Sequence, residues 1–218
     1  MAAYTYLQAV NSVLRRLREP EATSVNDSDY TRLIATYVND SKRQVEDAYN
    51  WNALSNTLSA TTTESLFNYV LEGSGQRFRL IDALNDTSNF VMQNRTTAWM
   101  DRVFLMADPA RGQPMYFNFN GVDANGDTQV DIYPIPDGAY TLRFNIIQPQ
   151  AELTNNADVI QVPAEPIIMG AYARAIAERG EDQGIQGNEA YALYLQSLGD
   201  AIALESGRYL EEGEWIPV

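Results

Sequence analysis

Neither cysteine nor histidine occurs among the 218 residues, and lysine occurs once, as Lys42. Without cysteine there are no disulfides, no thiolate nucleophiles and no sulfur-held metals. Without histidine there is no Ser-His-Asp or Cys-His pair, no ordinary zinc site, and no side chain that titrates unperturbed near neutrality. Most hydrolase chemistry is thereby excluded, and no cofactor is expected. Long apolar runs are missing as well. No stretch approaches the roughly 18 consecutive apolar residues of a membrane span, and the mean hydropathy is -0.32, so no membrane association is expected. The amino terminus, MAAYTYLQAVNSVLRRLRE, places its arginines after the apolar residues and has no A-x-A cleavage site, so it does not read as a secretory signal. Synthesis and assembly inside the cell follow as the expectation.

What the chain does carry is acid and arginine. Twenty-nine Asp and Glu against 15 Lys and Arg give a formal net charge of -14 and a pI near 4.3. Such a surface repels nucleic acid, because duplex binding comes mainly from cations that neutralise phosphates. A protein that merely lines a passage for DNA gains from not adhering to it, and this charge suits that task. Fourteen of the 15 basic residues are arginine. Its planar guanidinium is favoured at protein interfaces, although codon composition gives the same bias. The enzyme chemistry left open is a carboxylate pair, as in glycan-degrading enzymes, or a carboxylate-held magnesium ion. With so many carboxylates, no particular pair stands out.

Apolar residues at Leu7, Val10, Leu14 and Leu17 recur at helical spacing and predict a first helix stopped by Pro20. Asn26, Asp27 and Ser28 offer caps for a second, with Tyr30, Leu33, Ile34, Tyr37, Val38, Val45 and Tyr49 on its apolar stripe. Arg32, Asp40, Lys42, Arg43, Glu46 and Asp47 are assigned to its opposite, solvent-facing side. From Asn56 onward the pattern is that of strands. A hairpin is predicted around Gly73-Ser74-Gly75, and a short helix over Thr97 to Met106. Three clearer strands follow, Met115 to Asn120, Gln129 to Tyr133 and Tyr140 to Ile147, read as antiparallel neighbours because their links are short. Val162-Pro163 opens a third helix, Gly180 caps it, and a fourth runs from about Asn188 to Tyr209 with Tyr191, Tyr194, Leu195, Leu198, Ile202 and Leu204 on one side. The predicted class is α+β, with terminal helix pairs forming a four-helix bundle and an antiparallel β region inserted between them. The corresponding divisions are a helical hairpin at 1–51, a β-rich region at 52–150, a second helical hairpin at 151–210 and an acidic extended tail at 211–218.

Candidate sites are few. Asp123-Ala124-Asn125-Gly126-Asp127 has the opening of a calcium loop, but the twelfth position is Pro134 where a bidentate Glu is needed, so it reads as a hairpin loop. Gly73-Ser74-Gly75 lacks the lysine of a phosphate loop. Arg15, Arg16 and Arg18 cluster at the end of the first helix and are assigned to a solvated or subunit-facing side. From Glu178 onward nine acidic and two basic residues give a net charge of -7. Within that segment Trp215 and Ile216 are candidate anchors for a groove on another protein.

Taken in order, several short motifs resemble the head-to-tail adaptors of tailed bacteriophages, including the tail tubular protein A type. They are Ala9-Val10-Asn11 with Leu14 and Leu17 leading to Glu19-Pro20, then a long helix and Trp51; Arg111-Gly112-Gln113-Pro114-Met115-Tyr116; Ile132-Tyr133-Pro134-Ile135-Pro136; Tyr140-Thr141-Leu142; and Val162-Pro163 before Ala171-Tyr172-Ala173. The resemblance covers most of the chain. One departure is that the family often has Gly directly before its Glu-Pro element, where Arg18 stands here, and this bears on the geometry of that turn. The resemblance implies a non-catalytic virion protein of the neck or tail, with no cofactor. Its partners would be copies of itself in a dodecameric ring, the portal protein, and a tail nozzle or other next tail component, with DNA passing through without specific binding. Another neck or tail-completion protein would differ only in its partners, and a tail-associated glycan-degrading carboxylate enzyme is the competing class.

Overall fold

The computed structural model describes residues 4–180 and 185–208, with the side chains of 185 and 186 left aside. In chain order the elements are α1 (Tyr6–Arg16), α2 (Asp29–Ala48), a 3-10 turn (Asn52–Leu54), β1 (Ser55–Thr61), β2 (Asn68–Val70), β3 (Arg79–Asn85), β4 (Phe90–Val91), β5 (Gln93–Asn94), α3 (Thr97–Phe104), β6 (Tyr116–Val122), β7 (Thr128–Tyr133), β8 (Thr141–Ile147), α4 (Ala164–Arg179) and α5 (Ile185–Ser206). The class is α+β, as the sequence predicts. Two compact units result, one made of Met1–Ala53 with Gln150–Val218 and the other of Leu54–Pro149.

In the helical unit, local chemistry sets the helix ends. Thr5 and Gln8 form a capping box at α1: the Gln8 amide donates to Thr5 Oγ1 at 3.3 Å and the Thr5 amide to Gln8 Oε1 at 3.0 Å. Of the three candidate caps before α2, Ser28 is the one used, accepting from the Thr31 amide at 3.0 Å, while Asp27 turns back to accept from Thr23 N. Pro163 stands at the N-cap of α4 and Gly180, at φ 63°, is its left-handed C-cap. Helix α4 is the common partner, packing on α1, α2 and α5, and α1 also packs on α2. At Gly170 a Cβ would stand 3.0 Å from Ser41 Oγ on α2 and 3.2 Å from Tyr194 Cδ2 on α5, so glycine is what lets these three helices approach. The expected four-helix bundle is thus resolved as three helices gathered on α4.

Lys42 and Glu46 correct the sequence reading, which placed them on the solvent face of α2. Their side chains are only 4% and 1% exposed. Lys42 Nζ donates to Glu46 Oε1 at 3.0 Å, to the Gln150 carbonyl at 2.8 Å and to the Ala151 carbonyl at 3.2 Å. Glu46 Oε1 also accepts from the Gln150 amide at 3.2 Å. One turn earlier, Asn39 exchanges two bonds with the Leu153 backbone, at 3.0 and 3.1 Å, and donates to Tyr6 Oη at 2.9 Å. Tyr6 in turn donates to the Ala35 carbonyl at 2.8 Å, and burial, with the negative charge of Glu152, pushes its phenol up to about 12. Residues 39, 42 and 46 therefore form a polar ladder that holds residues 150–153 against α2. A buried pair stripped of one partner leaves the other charge uncompensated. Lys42→Met is accordingly expected to cost about 3–5 kcal/mol, read as a fall in the urea midpoint followed by circular dichroism.

The β unit holds two four-stranded sheets, ordered β1-β8-β3-β4 and β2-β7-β6-β5. Neighbours are antiparallel except β5 and β6, which run parallel. Both sheets contribute to one core that includes Leu71, Met92, Phe117, Ile132, Phe144 and Ile146, and α3 covers a smaller cluster of Met100, Val103 and Tyr133. The β6–β7 hairpin is as predicted, but two other pairings differ from the sequence reading.

The predicted hairpin around Gly73-Ser74-Gly75 does not form, because β2 pairs with β7 in one sheet and β3 with β8 in the other. The glycine turn is a crossing, pinned by Asp127, whose carboxylate accepts from the Gly73 amide at 3.0 Å and the Gly75 amide at 2.9 Å. Strands β7 and β8, expected as neighbours, also lie in different sheets. Pro134 and Pro136 have no N–H to offer a hairpin. Between them Ile135 donates to the Ala110 carbonyl and accepts from the Gly112 amide, both at 3.0 Å. The two backbone bonds from Gly75 and Gly73 hold the Asp127 carboxyl below the ordinary carboxylate range. A group depressed in the fold contributes stability above its unfolded pKa and loses it as the pH falls through the folded one. Melting temperatures measured from neutral to acid pH should therefore fall more steeply for the native chain than for Asp127→Asn.

Candidate interaction surfaces

Arg15 and Arg16 occupy the last turn of α1, where cations suit the negative end of the helix dipole, and Arg18 follows its C-cap. All three are exposed. Arg15 Nε lies 3.4 Å from Glu21, and Arg16 Nη2 lies 3.1 Å from Glu165, which ties α1 to α4. The structure thus gathers the three arginines at one corner, with two of them held by carboxylates of the same chain. Beside the corner is a groove of about 360 Å³ lined by Leu14, Glu19, Pro20, Tyr30 and Arg179, among others. Arg179 Nη2 donates to Glu19 Oε1 at 2.6 Å and to Tyr30 Oη at 2.7 Å. Burial opposes its charge, but these bonds outweigh the burial and hold the guanidinium above the ordinary arginine range. Trp215 and Ile216, with the rest of 209–218, lie outside the described residues.

Arg18 has φ 59°. Its amide donates to the Arg15 carbonyl at 3.1 Å and the Glu19 amide to the Leu14 carbonyl at 3.0 Å, the two bonds of a Schellman motif. This left-handed position is the one a glycine occupies without steric cost, which accounts for the glycine common before Glu-Pro in the resembling family. The turn geometry is kept here with arginine in its place. Arg18→Gly is expected to raise stability by about 1 kcal/mol, checked as an increased urea midpoint at unchanged slope.

A larger surface lies on α5. The sequence gathers Tyr191, Tyr194, Leu195, Leu198, Ile202 and Leu204 on one apolar side, but only Tyr194 among them is buried; Leu198 and Ile202 are half-buried. Tyr191 and Leu195 are about half exposed, and Leu204 is 74% exposed. Leu193, missed in the sequence reading, is also about half exposed. The signal was available in the apolar residues that recur on nearly every side of α5, a pattern that marks a helix covered from more than one direction. In the β unit Leu66, Phe67, Leu105 and Met106 are exposed too, with the Phe67 ring 4.6 Å from that of Phe104.

Metal-held carboxylates have no setting among the described residues. No group of three or more Asp and Glu is arranged to hold a metal ion, and no helix is long and apolar enough to cross a membrane. In the Asp123–Asp127 loop, Asp123 Oδ1 accepts from the amides of Asn125 and Asp127, both at 2.9 Å, and Asp127 anchors the glycine crossing.

Exposed apolar and basic surfaces are thus the features that stand out among the described residues. A family model described as SU10 adaptor protein matches residues 4–213, and the chain belongs to that family of phage head-to-tail adaptors. The family is a structural one and not an enzyme family. No curated protein sequence matches the chain.

Proposed function

We propose that copies of this chain close into a ring between the portal protein and the tail of a bacteriophage virion, joining the two and leaving a passage for DNA. The observation that carries this reading is the exposed apolar surface of α5. Its inward face already packs on α4, yet Tyr191, Leu193, Leu195 and Leu204 remain open. Full burial of one such side chain is worth about 1.5–3 kcal/mol, so a neighbour covering several of them gains enough to hold a subunit contact. Identical subunits that meet through two different surfaces continue until the rotation closes, and the resemblance to the head-to-tail adaptors implies a dodecamer. The acidic composition favours a lumen that DNA slides past. In this reading Arg15, Arg16 and Arg18 face a neighbouring subunit or the portal, and Trp215 and Ile216 anchor the acidic end in a groove of the portal.

Native mass spectrometry of the chain mixed with portal is expected to give a ring mass. Leu195→Asp with Leu204→Asp should weaken ring formation roughly tenfold or more while leaving the helical circular dichroism intact. A single copy that ignores portal at every concentration would sink the reading. Truncation after Tyr209 isolates the anchor, because unchanged portal affinity would remove Trp215 and Ile216 from that role.

A further inference from the structure

Three of the four sheet edges are very short: β2 has three residues, and β4 and β5 have two each. The fourth, β1, has seven, Ser-Asn-Thr-Leu-Ser-Ala-Thr, with no charge and no proline. Its register with β8 is unbroken from Ser55 opposite Ile147 to Thr61 opposite Thr141. Natural edges are shortened, charged, bulged or covered, because a row of unpaired backbone groups templates another strand. Here three edges are shortened, and the long one carries none of the other defences within its own sequence.

Hydrogen-bond alternation fixes which groups of β1 face outward. The Gln148 amide donates to the Leu54 carbonyl, and the Thr62 amide donates to the Tyr140 carbonyl. Even-numbered residues from 54 to 62 therefore face β8, and odd-numbered ones turn N–H and C=O to the open side. The protein closes that open row at both ends. Asn56 Oδ1 accepts from the Thr57 amide at 2.8 Å, and Tyr69 Oη accepts from the Thr63 amide at 2.9 Å. Between these caps, both residues are exposed, and no turn, loop or side-chain bond to a described residue engages the backbone of Ser59 or Thr61.

We propose that the Ser59–Thr61 window of β1 is a docking site for an extended, uncharged segment of another virion protein, which adds to this sheet as a further strand. The proposal rests on the adaptor reading above, which supplies such partners. The geometry of the chain itself argues against a second copy as the occupant. Pairing β1 with β1 is two-fold and closes at two subunits, unlike a head-to-tail ring. Of the remaining edges, β4 and β5, at two residues each, are too short to span the window. An uncharged segment fits because β1 offers only Ser, Thr, Asn, Leu and Ala side chains, with no charge to pair. Recognition is then by backbone ladder, with specificity from alternate side chains.

Residue-resolved hydrogen exchange tests this on the full chain, first isolated and then within necks purified from virions. The Ser59 and Thr61 amides should exchange freely in the isolated chain and slow by roughly 100-fold or more in the neck, whereas Leu58 and Ala60 should be slow in both. Ser59→Pro removes an outward N–H and no bond to β8, so it should fold normally and fail to gain protection at Thr61. Equal, fast exchange of Ser59 and Thr61 in both states would overturn the proposal while leaving the ring untouched. Protection already present in the isolated chain would overturn it too, as would protection lost on truncation after Arg208, since the occupant would then be a neighbouring copy's own end. Absence of the chain from purified necks would instead defeat the adaptor reading.

Discussion

The helical unit depends on the buried Lys42–Glu46 pair and the backbone it holds. Its helices come from the two ends of the chain, separated by nearly a hundred residues of β structure, so something must fix where the chain re-enters. Lys42 is the only lysine present, and its ammonium meets one carboxylate and two carbonyls at 150 and 151. Burying two charges is costly, and mutual attraction alone seldom offsets the loss of hydration. Here the backbone of the returning segment supplies the missing bonds, and Asn39 and Tyr6 extend them to Leu153. That attachment fixes where the chain re-enters the helical unit, and packing on α1 and α2 places α4 from there.

The β unit solves a comparable problem by switching sheets. Short links that could have made hairpins carry the chain from one sheet to the other, because their polar groups find partners elsewhere. Asp127 takes the amides of the Gly73–Gly75 crossing, while Ile135 between two prolines bonds to residues 110 and 112. The crossings let both sheets contribute to one core of Phe117, Ile132, Phe144 and their neighbours. They also decide which strands end up as edges, leaving β1 as the one long edge among the described residues.

What this molecule offers a partner is surface chemistry. The absence of cysteine and histidine removes most reactive side chains by composition alone, and membership of a structural phage adaptor family agrees with that. An exposed apolar helix, a basic corner with a groove beside it, and an open strand edge each offer a different kind of contact. Such division suits a protein that meets several partners, since each surface is recognised by different chemistry: apolar area, charge or backbone hydrogen bonds.

Helix positions, the caps at Ser28 and Gly180 and the α+β class were legible in the residues, because three-and-four spacing and cap chemistry act over a few positions of chain. The β6–β7 hairpin was legible for the same reason, with Asn125-Gly126 at its turn. Lys42 and Glu46 were misread because a helical wheel shows which residues share a side, not whether another segment will cover that side. Likewise Tyr191, Leu195 and Leu204 read as one apolar stripe, and only the placement of α4 decided that Tyr194 is buried while these stay open. Strand partnership was the least legible feature, since a short link permits a hairpin without requiring one. Local order was therefore set by the sequence, whereas burial and pairing were settled by contacts between residues in places more than a hundred positions apart, whose energies no local pattern records.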